Sequence, residues 1–190
     1  MRTTLALATL TVVTTPALAD TAGEPTPAVH AKTLGVDGAI AMPTGAWGDA
    51  SGVGIGALGR FEYALQPKLA ITARLGFVQH LSKEVDLGFG TADSSTSEIP
   101  VFGGVRYAFS QSATSSIYGA AELGFVVYRV SLDSDGMSKT GSDTNLGMSL
   151  GAGYRTGKLD LRGALFFPDA GEVDDAMAVM ATVGYDLTAL

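Results

Sequence analysis

The chain has 190 residues, no cysteine, and 19 acidic against 12 basic side chains. Without cysteine it forms no disulfide, thiolate metal site or thiol nucleophile, and its acidic balance argues against nucleic acid, whose phosphates need a basic surface. Its residues are 46% hydrophobic and only 16% charged, which excludes a mainly disordered chain, and the length suits one domain.

Arg2 precedes an uncharged stretch that holds the apolar run Leu5 to Val13 and ends in the small-residue pattern Ala17-Leu18-Ala19. These features predict an export signal over residues 1–19, cleaved between Ala19 and Asp20. Residues 20–32 contain Pro25 and Pro27 and read as a flexible lead-in to a single domain at 33–190. No later segment suits a membrane helix. The longest uncharged run, Tyr107 to Ala121, is broken by the turn-like Ser110-Gln-Ser-Ala-Thr-Ser-Ser116.

From residue 33 the chain alternates with period two, the signature of strands. Leu34, Val36, Ile40 and Met42 oppose Asp37 in the first strand, and Val53, Ile55, Phe61, Tyr63 and Leu65 oppose Arg60 and Glu62 in the second. Leu69 to Phe77 follows with Arg74 on its other face, then Ile99 to Phe109 with Arg106. Ile117 to Val127 opposes Glu122, and Leu146 to Tyr154 opposes Asn145 and Ser149. Leu159 to Phe167 opposes Asp160 and Arg162, and Met177 to Leu187 opposes Thr182 and Asp186. Eight amphipathic strands result.

The second face is a poor surface for water, with about one charge per strand among small residues. Such residues suit the cramped interior of an eight-stranded barrel. The charges Asp37, Arg60, Glu62, Arg74, Arg106, Glu122, Asp160 and Arg162 are of both signs, so they are expected to pair in that interior. The continuous apolar face then looks to lipid. Tyr63, Tyr107, Phe109, Tyr154 and Tyr185 fall at one set of strand ends, and Phe77, Phe125 and Phe167 at the other, as two aromatic girdles would. Connections after the second and sixth strands are tight, at Gln66-Pro67 and Thr156-Gly157, whereas those after the odd strands are longer and run through Gly, Ser and Asp. That alternation is expected of short periplasmic turns and longer outer loops.

Phe61-Glu-Tyr-Ala-Leu-Gln-Pro-Lys68, Ile99-Pro-Val-Phe-Gly-Gly-Val-Arg-Tyr107 and the closing Val183-Gly-Tyr-Asp-Leu187 resemble the small eight-stranded outer-membrane barrels of the OmpA/OmpX type. The resemblance covers residues 33 to 187. It implies an all-β, antiparallel, up-and-down transmembrane barrel in a bacterial outer membrane, contacting lipids and lipopolysaccharide and inserted as a monomer by the barrel assembly machinery. The chain departs from the family pattern by ending in Leu190 rather than an aromatic residue.

Little in the sequence points to catalysis. His80, Ser82 and Glu84 resemble the active site of outer-membrane lipid A deacylases, but their register turns them to the interior, away from acyl chains. His30 reads as solvated. Asp133-x-Asp135-Gly136 has calcium-loop spacing without the remaining ligands of a twelve-residue loop. No catalytic, cofactor or metal residues are therefore assigned. The expected role is structural or surface-interacting, through acidic outer loops, without a large pore. The competing reading is a soluble periplasmic or secreted barrel that holds an apolar ligand.

Overall fold

The computed structural model describes residues 29–86, 91–134, 137–171 and 176–189. The cleavage site between Ala19 and Asp20 lies outside them. Nine strands and one short helix follow in order: β1 (Lys32–Thr44), α1 (Gly45–Ala50), β2 (Gly54–Gln66), β3 (Leu69–His80), β4 (Lys83–Asp86), β5 (Thr91–Gln111), β6 (Ser115–Ser134), β7 (Met137–Thr156), β8 (Leu159–Phe167) and β9 (Met177–Ala189). Each pairs antiparallel with its neighbours, and β1 pairs with β9, Gly38 facing Val183. β4 continues the stave begun by β3 after a break at Leu81-Ser82, and both pair with β5. The result is a closed, eight-stranded, up-and-down antiparallel barrel. Closure leaves the staves no unpaired edge within the ring.

Period two decides what faces where. Leu34, Val36, Ile40, Ile71, Leu75, Val105, Leu123, Leu150 and Val183 are all exposed on the outside, while Asp37, Arg60, Glu62, Arg74, Glu122, Asp160 and Arg162 are buried inside. A soluble barrel binding an apolar ligand requires the reverse, so that alternative is overturned. Pro43, Pro67 and Pro168 lie at strand ends or turns, where a missing amide donor costs little. Pro100, also expected at a strand end, lies instead inside β5 opposite Val126, at the gap in the β3–β5 ladder between Leu75↔Val101 and Val78↔Glu98, where its missing amide donor is tolerated.

Three expectations need correction. The lead-in does not stay free up to residue 32, because Lys32 is already in β1, the His30 amide donates to the Ala64 carbonyl at 2.8 Å, and the Ala64 amide to Ala31 at 2.9 Å. The connection after the first strand holds a helical turn, α1, entered through Gly45 at a left-handed φ of 62° that favours glycine. The long outer loops expected after the third and fifth strands are largely strand. β5, β6 and β7 run 21, 20 and 20 residues, and pairing continues from Val127↔Thr144 to Ser134↔Met137. At about 3.3 Å per residue the β6–β7 ribbon rises about 20 Å beyond Val127. Ladder hydrogen bonds hold it together even where neither face has hydrocarbon to rest on.

Candidate functional site

The lumen is built by inward side chains of every stave. In its inner half, toward the tight turns and both chain ends, Arg60 is the hub. Its guanidinium donates to Asp37 at 3.2 Å, to Glu62 at 2.9 Å and to Asp186 at 2.8 Å. Arg155 grips Glu62 through two donors at 2.9 Å each, and Asp160 at 2.7 and 3.0 Å. Arg106 stands 3.1 Å from Glu62 and lies over the ring of Tyr118, whose hydroxyl donates to Asp160. Farther up, Arg162 makes a two-pronged contact with Glu122 at 2.9 and 2.8 Å and a third bond to Ser149. Arg74 bridges the two groups, bonded to Asp37 and 3.9 Å from Glu122.

Five guanidiniums thus meet five carboxylates in one connected lattice, and their formal charges cancel. Removing a charge from water costs several kcal/mol unless paired in good geometry, and forked Arg–carboxylate contacts supply that geometry. Glycine makes the room. A Cβ on Gly184 would collide with the Asp37 carboxylate, and one on Gly153 with the Tyr118 ring and hydroxyl.

All eight charged residues singled out from the sequence lie in this lattice. Asp186, also on the inward face in the sequence pattern, joins it, and Arg155 and Tyr118 complete it. Arg155 is the next inward position after Tyr154, where the apolar alternation stops, so only the continued parity of the strand marks it.

The outer half of the lumen is filled by different chemistry. Leu58, Val78, Phe102, Val126, Phe166 and Met180 form a buried apolar layer, with Phe102 and Phe166 edge to face at 5.9 Å. Trp47 of α1 closes over it, its ring 6.5 Å from Phe166 and 5.1 Å from His80. His80 Nδ1 lies 2.9 Å from the Gly52 carbonyl, and its Nε2 is 3.5 Å from fully buried Glu98. Ser82 is exposed beyond the end of β3. The i, i+2 relation of a continuous strand fails at that break, so His80 and Ser82 do not form the pair a hydrolase would need. Glu84 has no described side chain. Among the described residues, no three His, Asp or Glu cluster as metal ligands would. Asp133 and Asp135 lie outside the described side chains.

Of the aromatic residues assigned to the two rims, Phe77, Tyr107, Phe109, Phe125, Tyr154 and Tyr185 are exposed on the outside of the barrel. Tyr63 is half-buried, its hydroxyl 2.7 Å from His30 Nδ1, so His30 is tied to the barrel wall. Phe167 is a correction, being only 7% exposed. It is the last residue of β8, where alternation is no longer imposed, and it is buried with its neighbour Phe166.

A family model for the outer membrane protein beta-barrel domain matches residues 5–186. The chain belongs to this family. Solved structures agree on the fold. Ail, the attachment invasion locus protein of Yersinia pestis, is 15% identical, with a TM-score of 0.57 over 84% of this chain and 98% of Ail. Neisserial surface protein A is 18% identical, with a TM-score of 0.51 over 81% of this chain and 96% of its own. The N-terminal barrel of Pseudomonas aeruginosa OprF is 11% identical, with a TM-score of 0.50, covering 84% of this chain and 98% of that barrel. No curated protein matches the sequence significantly. As a member of this family the chain is a bacterial outer-membrane protein. In such barrels the tight turns and termini are periplasmic and the longer connections extracellular; here α1, β4 and the β6–β7 ribbon lie at the end of the barrel opposite the tight turns.

Proposed function

We propose that the protein is a non-conducting, non-catalytic scaffold that holds extended strands at the cell surface. One observation carries this reading: the lumen is closed twice, by the neutral charge lattice around Arg60 and Arg162 and by the apolar layer under Trp47. A conducting pore needs a continuous aqueous path, and neither layer offers one. What remains for interaction is the rim. There, β5, β6 and β7 project beyond the lipid-facing alternation and carry Asp143 with Ser and Thr on solvated faces. The exposed apolar wall contacts lipid tails and the outer rim contacts lipopolysaccharide. The barrel acts as a monomer once inserted by the assembly machinery. Phe77 and Phe125 at the outer rim, and Tyr107, Phe109, Tyr154 and Tyr185 at the inner, set its depth.

Planar-bilayer recording of the purified barrel tests this reading. The expected trace is a flat baseline, and steady nanosiemens steps would overturn it. Trypsin added to intact cells gives a second readout, with cleavage expected at Arg129 or Lys139 of the ribbon. Cleavage confined to Lys68 or Lys158, in the tight turns, would invert the orientation.

A further inference from the structure

Beside α1, at the outer mouth, a cleft of about 420 Å³ opens between the helix, β5, β6, β7 and the connection from β8 to β9. Trp47 and Tyr128 supply aromatic surface, and Asp143, Asn145 and Asp169 form the polar wall. Asn145 Nδ2 donates to Asp169 Oδ2 at 2.8 Å, and the Gly171 amide donates to its Oδ1 at 2.8 Å, which fixes that carboxylate in place. On the opposite side Ser51 and Thr96 hydroxyls bond each other at 3.2 Å.

The charge balance here is unlike that of the lattice below. Among the described residues no Lys, Arg or His lines the cleft. Among the described residues no basic group lies within ion-pair distance of Asp143 or Asp169. Lys83 of β4, which packs beside α1, is engaged elsewhere, donating to the Gly48 carbonyl at 2.6 Å. Beneath the cleft wall, Glu98 faces Tyr128 across the β5–β6 ladder. It is completely buried with His80 Nε2 3.5 Å from its Oε1, so this carboxyl belongs to the layer below and adds no free charge to the cleft. Among the described residues Asp143 and Asp169 therefore stand without a basic partner at a mostly apolar, aromatic-walled cavity, where the lower lumen matched every carboxylate to a guanidinium.

We infer that the cleft binds a small organic cation with an apolar body, a substituted ammonium compound. The ring faces of Trp47 and Tyr128 attract such a cation through their quadrupoles, and Asp143 and Asp169 neutralise it. A largely apolar pocket with a few convergent polar groups is the usual form of a small-molecule site. Anions are disfavoured by the same carboxylates, and a bare metal ion gains nothing from the aromatic walls. The inference adds to the scaffold reading and does not depend on it, since a conducting barrel could still bind the cation.

Trp47 is the only tryptophan of the chain, so its fluorescence reports on the cleft alone. The full-length barrel in detergent micelles is titrated with benzyltrimethylammonium chloride, and saturation-transfer NMR follows the probe in parallel. The expected result is a saturable emission change with matching NMR transfer, weakened at least tenfold in the double variant Asp143→Asn, Asp169→Asn. Benzyl alcohol, sodium chloride and magnesium chloride should produce no saturable response. Both variants sit at the solvated mouth, and a retained heat-modifiable gel shift shows that the barrel is intact. Absence of transfer and of an emission change overturns the inference. So does unchanged affinity in the double variant, or an equal response to benzyl alcohol or magnesium.

Discussion

The two halves of the lumen close the same barrel by opposite means. Toward the periplasm, Arg60, Arg155 and their carboxylates fill the space with long, fully engaged ionic side chains. Toward the outside, Phe102, Phe166 and Val126 fill it with hydrocarbon, and Trp47 caps it. The difference lies in what each half tolerates. An apolar layer loses contact area when trimmed, in proportion to the cavity left. A charge lattice loses pairing, and each orphaned partner keeps its desolvation cost.

The sharpest way to break the comparison is at the hub. Arg60→Ala leaves Asp37, Glu62 and Asp186 each short of a partner and should cost about 3–5 kcal/mol in urea unfolding from micelles. Arg162→Met strips Glu122 of its two-pronged partner, leaving only Thr72 at 3.4 Å and Arg74 at 3.9 Å, and should cost about 3 kcal/mol. Adding Glu122→Leu should recover most of that loss, because a well-packed apolar pair often replaces a buried ion pair without penalty. Failure of the double variant to recover would show that the lattice acts as a unit and not through pairs. In the apolar half, Phe102→Leu should cost about 1–2 kcal/mol, with no rescue available from a second change. On the projecting ribbon, Ser131→Ala with Thr140→Ala removes the cross-strand hydroxyl contact at 3.2 Å. There the change in stability should stay below about 0.5 kcal/mol.

Legibility in the sequence follows the same division by solvent. Wherever one face meets lipid and the other the lumen, alternation such as Leu69-Ala-Ile-Thr-Ala-Arg-Leu-Gly-Phe77 announces both the strand and the inward charge. Once the chain leaves the lipid, both faces meet water and the alternation ends, although the ladder goes on. Val130 to Ser134 and Met137 to Asp143 therefore read as loop while being strand. The partners within the lattice were not legible either. That Arg60 rather than Arg106 becomes the hub depends on stagger around the ring, and no single strand carries that information. Likewise, α1 is six residues long with no side-chain cap. It is held by Trp47 packing on Phe166 and His80, contacts that exist only once the barrel has closed.

The central claim is that lipid solvates the apolar face while paired charges fill the inside. Because the chain has no cysteine, single substitutions Leu75→Cys and Val105→Cys can carry one spin label each, on residues that are 58% and 48% exposed on the outer wall. In lipid bilayers both labels should collide readily with oxygen and hardly at all with a water-soluble nickel chelate. Labels shielded from oxygen at both positions, or open to the chelate, would contradict the account.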